Sequence, residues 1–166
     1  MSEIKFATIG TSKITKTFLS AASNVPEFKL EATYSRNIKN AIEFGTPYNV
    51  TKFYDSLKTL SEDRTIDAVY IASPNAFHCS QAIQMMKAGK HVLCEKSLAS
   101  NKKEAEEMFR TAAENNVILL EAMRPVFDPG MDAVKTNLNK LGVIRRATLN
   151  YCQRSEEHTS ELQSRD

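Results

Sequence analysis

Two hydrophobic periodicities alternate along the first 125 or so residues, and that alternation restricts the fold more than any other feature of the chain. Apolar runs occur at Ile4–Ile9, Phe28–Tyr34, Ala68–Ala72, His91–Cys94 and Val117–Leu120. The first, third and fifth are nearly continuous, the pattern of strands covered on both faces. Between the runs, apolar residues recur at helical spacing. Ile14, Phe18 and Ala22 form one such stripe, and Ala82, Ile83 and Met86 another. A third comprises Ala105, Met108, Phe109, Ala112 and Ala113, with Lys102, Lys103, Glu106 and Glu107 outside it. Gly45 and Gly89 stand where the residue after a helix C-cap belongs. Strand and helix alternating at this spacing predict an α/β domain, residues 1–125, built on a doubly wound parallel sheet.

The style changes after Pro125. Asp128–Leu141 reads as a helix that starts near Pro129 and stops at Gly142, and Val143–Cys152 alternates as a single amphipathic strand. A lone strand has no neighbour for its backbone groups. Residues 126–153 are therefore expected to be the first helix and strand of a second α/β domain, truncated here. Residues 154–164 lack periodicity and resemble the in-frame translation of a short-read sequencing adapter. The stretch 154–166 is expected to be a non-native tail and is set aside from functional reasoning.

Charge and cysteine usage narrow the partners. A net charge of +2 over 166 residues gives no basis for binding nucleic acid or an anionic membrane. No apolar stretch approaches the roughly 20 residues a membrane span needs, and Met1–Lys5 lacks a signal-peptide core. Cys79, Cys94 and Cys152 are scattered, without a Cys-x-x-Cys or histidines at metal-ligand spacing. The expectation is a cytoplasmic protein without a metal.

Four segments at strand ends carry the chemistry. Gly10-Thr11-Ser12-Lys13-Ile14-Thr15 joins the first strand to the first helix. In a dinucleotide-binding fold this turn offers backbone N–H groups and a helix N-terminus to a pyrophosphate. Only Gly10 of the G-x-G-x-x-G pattern is kept, so an unliganded strand-to-helix turn is the alternative. Ser35 and Arg36 follow the second strand, where a site for a free 2′-hydroxyl places a carboxylate roughly 20 residues after the glycine turn. Glu31 lies back inside the strand. A hydroxyl and a guanidinium suit a 2′-phosphate, which favours NADP(H) over NAD(H), unless they are merely a cap and a solvated charge. Ser73-Pro74-Asn75-Ala76-Phe77-His78 makes a turn into a helix, with His78 able to touch a cofactor ribose, act as acid or base, or simply pack. Glu95-Lys96 closes the run His91–Cys94 at the edge where parallel sheets bind ligands. A lysine beside a carboxylate there suits proton transfer; the plainer alternative is two solvated charges.

Taken in order with Glu121-Ala122-Met123-Arg124, these segments resemble the Gfo/Idh/MocA oxidoreductase family over about residues 4–153. The resemblance implies an NAD(P)-binding Rossmann domain and an enzyme that oxidises a secondary alcohol of a sugar, inositol or other diol, or reduces the ketone. It implies that Lys96 orients substrate and relays its proton, that Glu95 orders Lys96 and the cofactor edge, and that Glu121–Arg124 lie near the nicotinamide. NADP is the expected cofactor, with NAD possible, bound by Gly10, Thr11, Ser12, Lys13, Ile14, Ser35, Arg36, Ser73, Pro74, Asn75, His78, Glu95 and Arg124. The family usually has proline after Glu-Lys, where this chain has Ser97, so the Lys96 loop is expected to be less rigid. Members carry a second domain that supplies the substrate pocket, an Asp/His acid–base group and usually a homo-oligomer interface. The segment alone is therefore expected to bind cofactor without turnover. A non-catalytic dinucleotide sensor is the alternative, though a sensor has no need of Glu95 and Lys96. A receiver-type domain would need an acidic cluster at the strand tips, and there is none.

Overall fold

The computed structural model of the protein describes residues 3–146 and residue 148. Its strands are β1 (Ile4–Ile9), β2 (Phe28–Tyr34), β3 (Lys52–Tyr54), β4 (Ala68–Ile71), β5 (His91–Cys94) and β6 (Leu119–Glu121). All pair in parallel in the order β3-β2-β1-β4-β5-β6. The order reverses between β1 and β4, which places the ligand crevice of such a sheet at the carboxyl ends of those two strands. The connecting helices are α1 (Lys13–Ala22), α2 (Ile38–Gly45), α3 (Leu57–Glu62), α4 (His78–Lys87) and α5 (Lys102–Glu114). Ala7, Ile9, Val69, Ile71, Val92 and Cys94 lie buried in one core with Leu60, Met85, Met86 and Met108 from the helices.

Helix ends follow from local chemistry. Gly89 has φ +79, and the N–H groups of Gly89 and Lys90 bond back to the carbonyls of Met86 and Met85. This is the double-bonded glycine stop expected from the sequence. Asn116 (φ 53) closes α5 the same way, with Val117 bonding to Ala112. That closure takes Val117 and Ile118 out of the expected last strand, which starts at Leu119. Gly45 is a correction. It is the last residue of α2, with a right-handed backbone, and an added Cβ would sit 2.7 Å from Thr33 Oγ1. Its lack of a side chain serves the close approach of α2 to β2.

The buried stripes sit slightly to one side of the expected ones. Thr15, Leu19 and Ala22 are the buried face of α1, and Met108, Thr111 and Ala112 that of α5, while Phe109 is 55% exposed. Phe18 instead joins an aromatic cluster with Phe6, Phe28 and Tyr70.

A charged network ties β3 to the end of α3. Asp63 accepts bonds from the Tyr54 hydroxyl (2.7 Å), the Lys52 ammonium (3.2 Å) and the Thr65 amide and hydroxyl (2.8 Å each). Beside it the buried Lys90 ammonium donates to the carbonyls of Asp63 (2.6 Å) and Ile66 (3.1 Å). Burial opposes ionisation of Asp63, but the donors outweigh it and hold its carboxyl well below the ordinary 3.8. The unfolded chain takes up that proton first, so Asp63 contributes stability above pH 3.8 and loses it as pH falls further. Asp63→Asn is expected to cost about 1–3 kcal/mol at pH 7, since the donors lose a charged acceptor. Urea melts at pH 7 and pH 3 check this, and the gap between wild type and variant should narrow at the lower pH.

The contacts divide the chain into units Met1–Arg124 and Pro125–Asp166. Within the second, α6 (Pro129–Asn137) starts at Asp128, whose side chain accepts from the Gly130 amide, and continues as a short 3-10 turn, Leu138–Leu141. Gly142 follows with φ +66. The strand expected over Val143–Cys152 is not found at residues 143–146 or 148, where no second strand offers pairing. Its other residues, and the tail 154–166, lie outside the described residues.

Candidate functional site

Gly10 fixes the geometry of the crevice. Its N–H donates to the Tyr34 carbonyl at the end of β2 (3.2 Å), and an added Cβ would lie 2.6 Å from the Ala72 carbonyl oxygen after β4. With φ +109, only glycine turns the chain here without strain. The turn delivers the backbone into α1, whose N-cap Ser12 makes no side-chain cap bond. Asn37, Ser56, Asn101 and Asp128 do cap their own helices. The first N–H groups of α1, including those of Lys13 and Ile14, are thus left for another acceptor, and the helix dipole favours an anion.

Gly10, Thr11, Ser12, Ser35, Arg36, Ser73 and Pro74, all singled out from sequence, line one cleft of about 440 Å³. Tyr34, Asn40, Leu57, Phe77 and Gln81 line it too and were not anticipated. Phe77 lies within the Ser73–His78 segment, and an apolar ring left 43% exposed marks it. The Arg36 guanidinium stands 5.9 Å from the Phe77 ring centroid, bringing the β2 and β4 turns together across the cleft mouth. Gln81 receives the Ser73 hydroxyl at 2.6 Å, which fixes the β4 turn to α4. No carboxylate lines the cleft, and Glu31 is engaged with Lys29 and Lys52.

Glu95 and Lys96 follow β5, next to β4 on the same rim of the sheet. Tyr70, 1% exposed and stacked on Phe18, donates its hydroxyl to Glu95 Oε1 at 2.6 Å. Burial, and then the Glu95 carboxylate, hold the Tyr70 hydroxyl far above its ordinary range. The Glu121 carboxylate accepts the Leu98 amide at 2.9 Å. Lys96 itself is exposed, and its ammonium has no hydrogen bond or ion pair among the described residues. Cys94, beneath the loop, is no nucleophile. Burial and the nearby carboxylates push its thiol up to about 12.

Six anticipated contacts are absent from the cleft lining: Lys13 and Ile14, which begin α1, Glu95 after β5, and Asn75, His78 and Arg124. Asn75 and Arg124 are exposed at the starts of 3-10 turns and do not line the cleft. His78 is a correction. It is fully buried, with Nδ1 2.8 Å from the Ser97 carbonyl oxygen and Nε2 2.8 Å from that of Ser73. Both ring nitrogens face the protein's own backbone, and the ring does not line the cleft.

A parallel sheet in this order, with a glycine turn and an open helix N-terminus at its crossover, defines a dinucleotide-binding domain of the Rossmann type. The model of the Gfo/Idh/MocA oxidoreductase family, described by its NAD-binding Rossmann fold, matches residues 4–123. The chain belongs to that family. It is 46% identical over 155 residues to scyllo-inositol 2-dehydrogenase (NADP(+)) IolU of Bacillus subtilis, a match covering 93% of the chain and 47% of the relative. It is 30% identical to trans-1,2-dihydrobenzene-1,2-diol dehydrogenase of Xenopus laevis, covering 84% and 43%. Among solved structures, the 3-ketoreductase KijD10 of Actinomadura kijaniata, in complex with TDP-benzene and NADP, superposes with a TM-score of 0.79 at 29% identity, covering 86% and 45%. The chain thus spans about half the length of the relatives it matches. Among the described residues no helix is long and apolar enough to cross a membrane, and no cluster could hold a metal.

Proposed function

We propose that residues 1–125 are the cofactor half of an NADP(H)-dependent oxidoreductase acting on a secondary alcohol or ketone of a polyol, sugar or diol. Residues 126–153 begin the substrate half in this reading, and the whole enzyme is a homo-oligomer. The observation that carries the reading is a cleft at the sheet's crossover lined by the Gly10 turn, Ser35 and Arg36, with no carboxylate where a free 2′-hydroxyl would need one.

The residues suit the cofactor. The uncapped N-terminus of α1 and the side-chain-free Gly10 turn accept a pyrophosphate, and Ser35 and Arg36 donate to a 2′-phosphate. When bound, the dinucleotide supplies a hydride acceptor or donor at its nicotinamide ring. Lys96 takes the substrate hydroxyl proton onto Nζ as the neutral amine during oxidation, and returns it from the ammonium during reduction. Glu95, held by Tyr70, sets where the lysine stands.

Titration of the chain with NADPH and NADH tests the reading. Arg36→Ala is expected to weaken NADPH about 10- to 100-fold, the worth of a charge-assisted bond, and NADH less than about threefold. Equal loss for both, or no dinucleotide binding by the folded wild-type chain, overturns it.

A further inference from the structure

His78 spans the gap between two loops that no strand pairing joins at their tips. On one side is Ser73, in the turn after β4 that lines the cleft. On the other is Ser97, the residue after Lys96. Each presents a carbonyl oxygen at 2.8 Å, and carbonyls only accept. The ring therefore donates to whichever of them faces its N–H and packs against the other, in a site sealed from solvent. Ser73 is in turn fixed through its hydroxyl to Gln81, one helical turn further along α4.

We infer that His78 is a positioning residue that couples occupancy of the dinucleotide cleft to the placement of Lys96. The inference rests on the proposed function, because it takes the cleft to be the cofactor site and Lys96 to be the proton carrier. Movement of the Ser73 turn against a bound dinucleotide shifts the imidazole, and the imidazole carries the Ser97 carbonyl and the Lys96 backbone with it. Glu121, holding the Leu98 amide, fixes the far end of the loop, and Tyr70, through Glu95, the near end; neither lines the cleft. Without His78 the cleft fills while the Lys96 loop remains unaware of it.

The two contacts can be separated chemically. Asparagine places an amide donor near the Nδ1 position and keeps the bond to Ser97, whereas glutamine places one near Nε2 and keeps the bond to Ser73. Amide hydrogen exchange of the 166-residue chain, read at residues 97–99 with and without NADP, reports the loop. The Val92 and Glu95 amides, bonded to Ile118 and Ile71, report the sheet. In the wild type, NADP should slow exchange at 97–99. His78→Gln should speed exchange there about tenfold without cofactor, the worth of one lost bond, and leave Val92 and Glu95 unchanged. His78→Asn should retain the slow exchange of the free chain but lose the further slowing by NADP. Wild-type rates at 97–99 in both variants, or an NADP response surviving in His78→Asn, overturn the coupling. A rise shared equally by Val92 and Glu95 reduces His78 to an ordinary core residue and overturns it too. Absence of NADP binding in the wild type instead refutes the proposed function. The cofactor-free comparison of the two variants still decides whether His78 holds the loop.

Discussion

Gly10→Ala is expected to lower the stability of the chain by about 2–5 kcal/mol and to reduce NADPH affinity by about 100-fold or more. Two independent costs add at this position. A φ of +109 is unfavourable for any residue with a Cβ, and that Cβ would lie 2.6 Å from the Ala72 carbonyl oxygen, a backbone atom that cannot swing aside. Relief requires the β1–α1 turn to move off the β4 turn. That displaces the N–H groups facing the cleft and loosens the Gly10–Tyr34 bond that ties the turn to β2. Thermal melts and NADPH titration of the variant check both effects. Unchanged melting with unchanged affinity would mean that the turn is free to relax and that its position does not matter for binding.

Lys96→Met, made in a chain continuing to the full length of its relatives, is expected to lower turnover by about 10²–10⁴-fold, the contribution of a positioned proton carrier. NADPH affinity should change by less than about threefold, because Lys96 does not line the cleft. Methionine keeps the length of the side chain and removes the amine proposed to carry the proton. The Lys96 ammonium is committed to no partner among the described residues, so its loss leaves no buried charge unpaired and should not unfold the loop. Steady-state kinetics with the alcohol that the full-length enzyme turns over provide the check. Retained turnover would remove Lys96 from the mechanism, whereas no turnover by the full-length wild type would favour a domain that senses dinucleotide without reacting.

The class of fold was legible because a parallel strand buried on both faces writes itself as a nearly continuous apolar run, as at Ala68–Ile71 and the Ala7–Ile9 end of β1. The edge strand β3 escaped notice because its three residues, Lys52–Tyr54, are half-buried and carry no such run. Helix α3 escaped because Leu57–Glu62 is short and buries only Leu60. Glycines were half legible. Gly89 announced a helix stop correctly, but nothing local distinguishes it from Gly45, whose reason lies in Thr33 and Phe53 on neighbouring strands. In the site, the cleft-lining residues nearest strand ends were readable because the topology itself gathers strand tips. The role of His78 was not, since a buried imidazole and one facing a ribose read alike until the carbonyls around it are placed. Tyr70 was hidden for the same reason: inside an apolar run its hydroxyl looks incidental, and only the neighbouring strand supplies Glu95 to receive it.

Tyr70, His78 and Glu121, which steady the segment Glu95–Leu98, all belong to the unit Met1–Arg124. The Lys96 backbone is thus steadied from within one unit. On the reading proposed above, recombination that exchanged everything after Arg124 would set a new substrate half against the same lysine, one route by which a lineage can diversify what it reduces while leaving its electron source untouched.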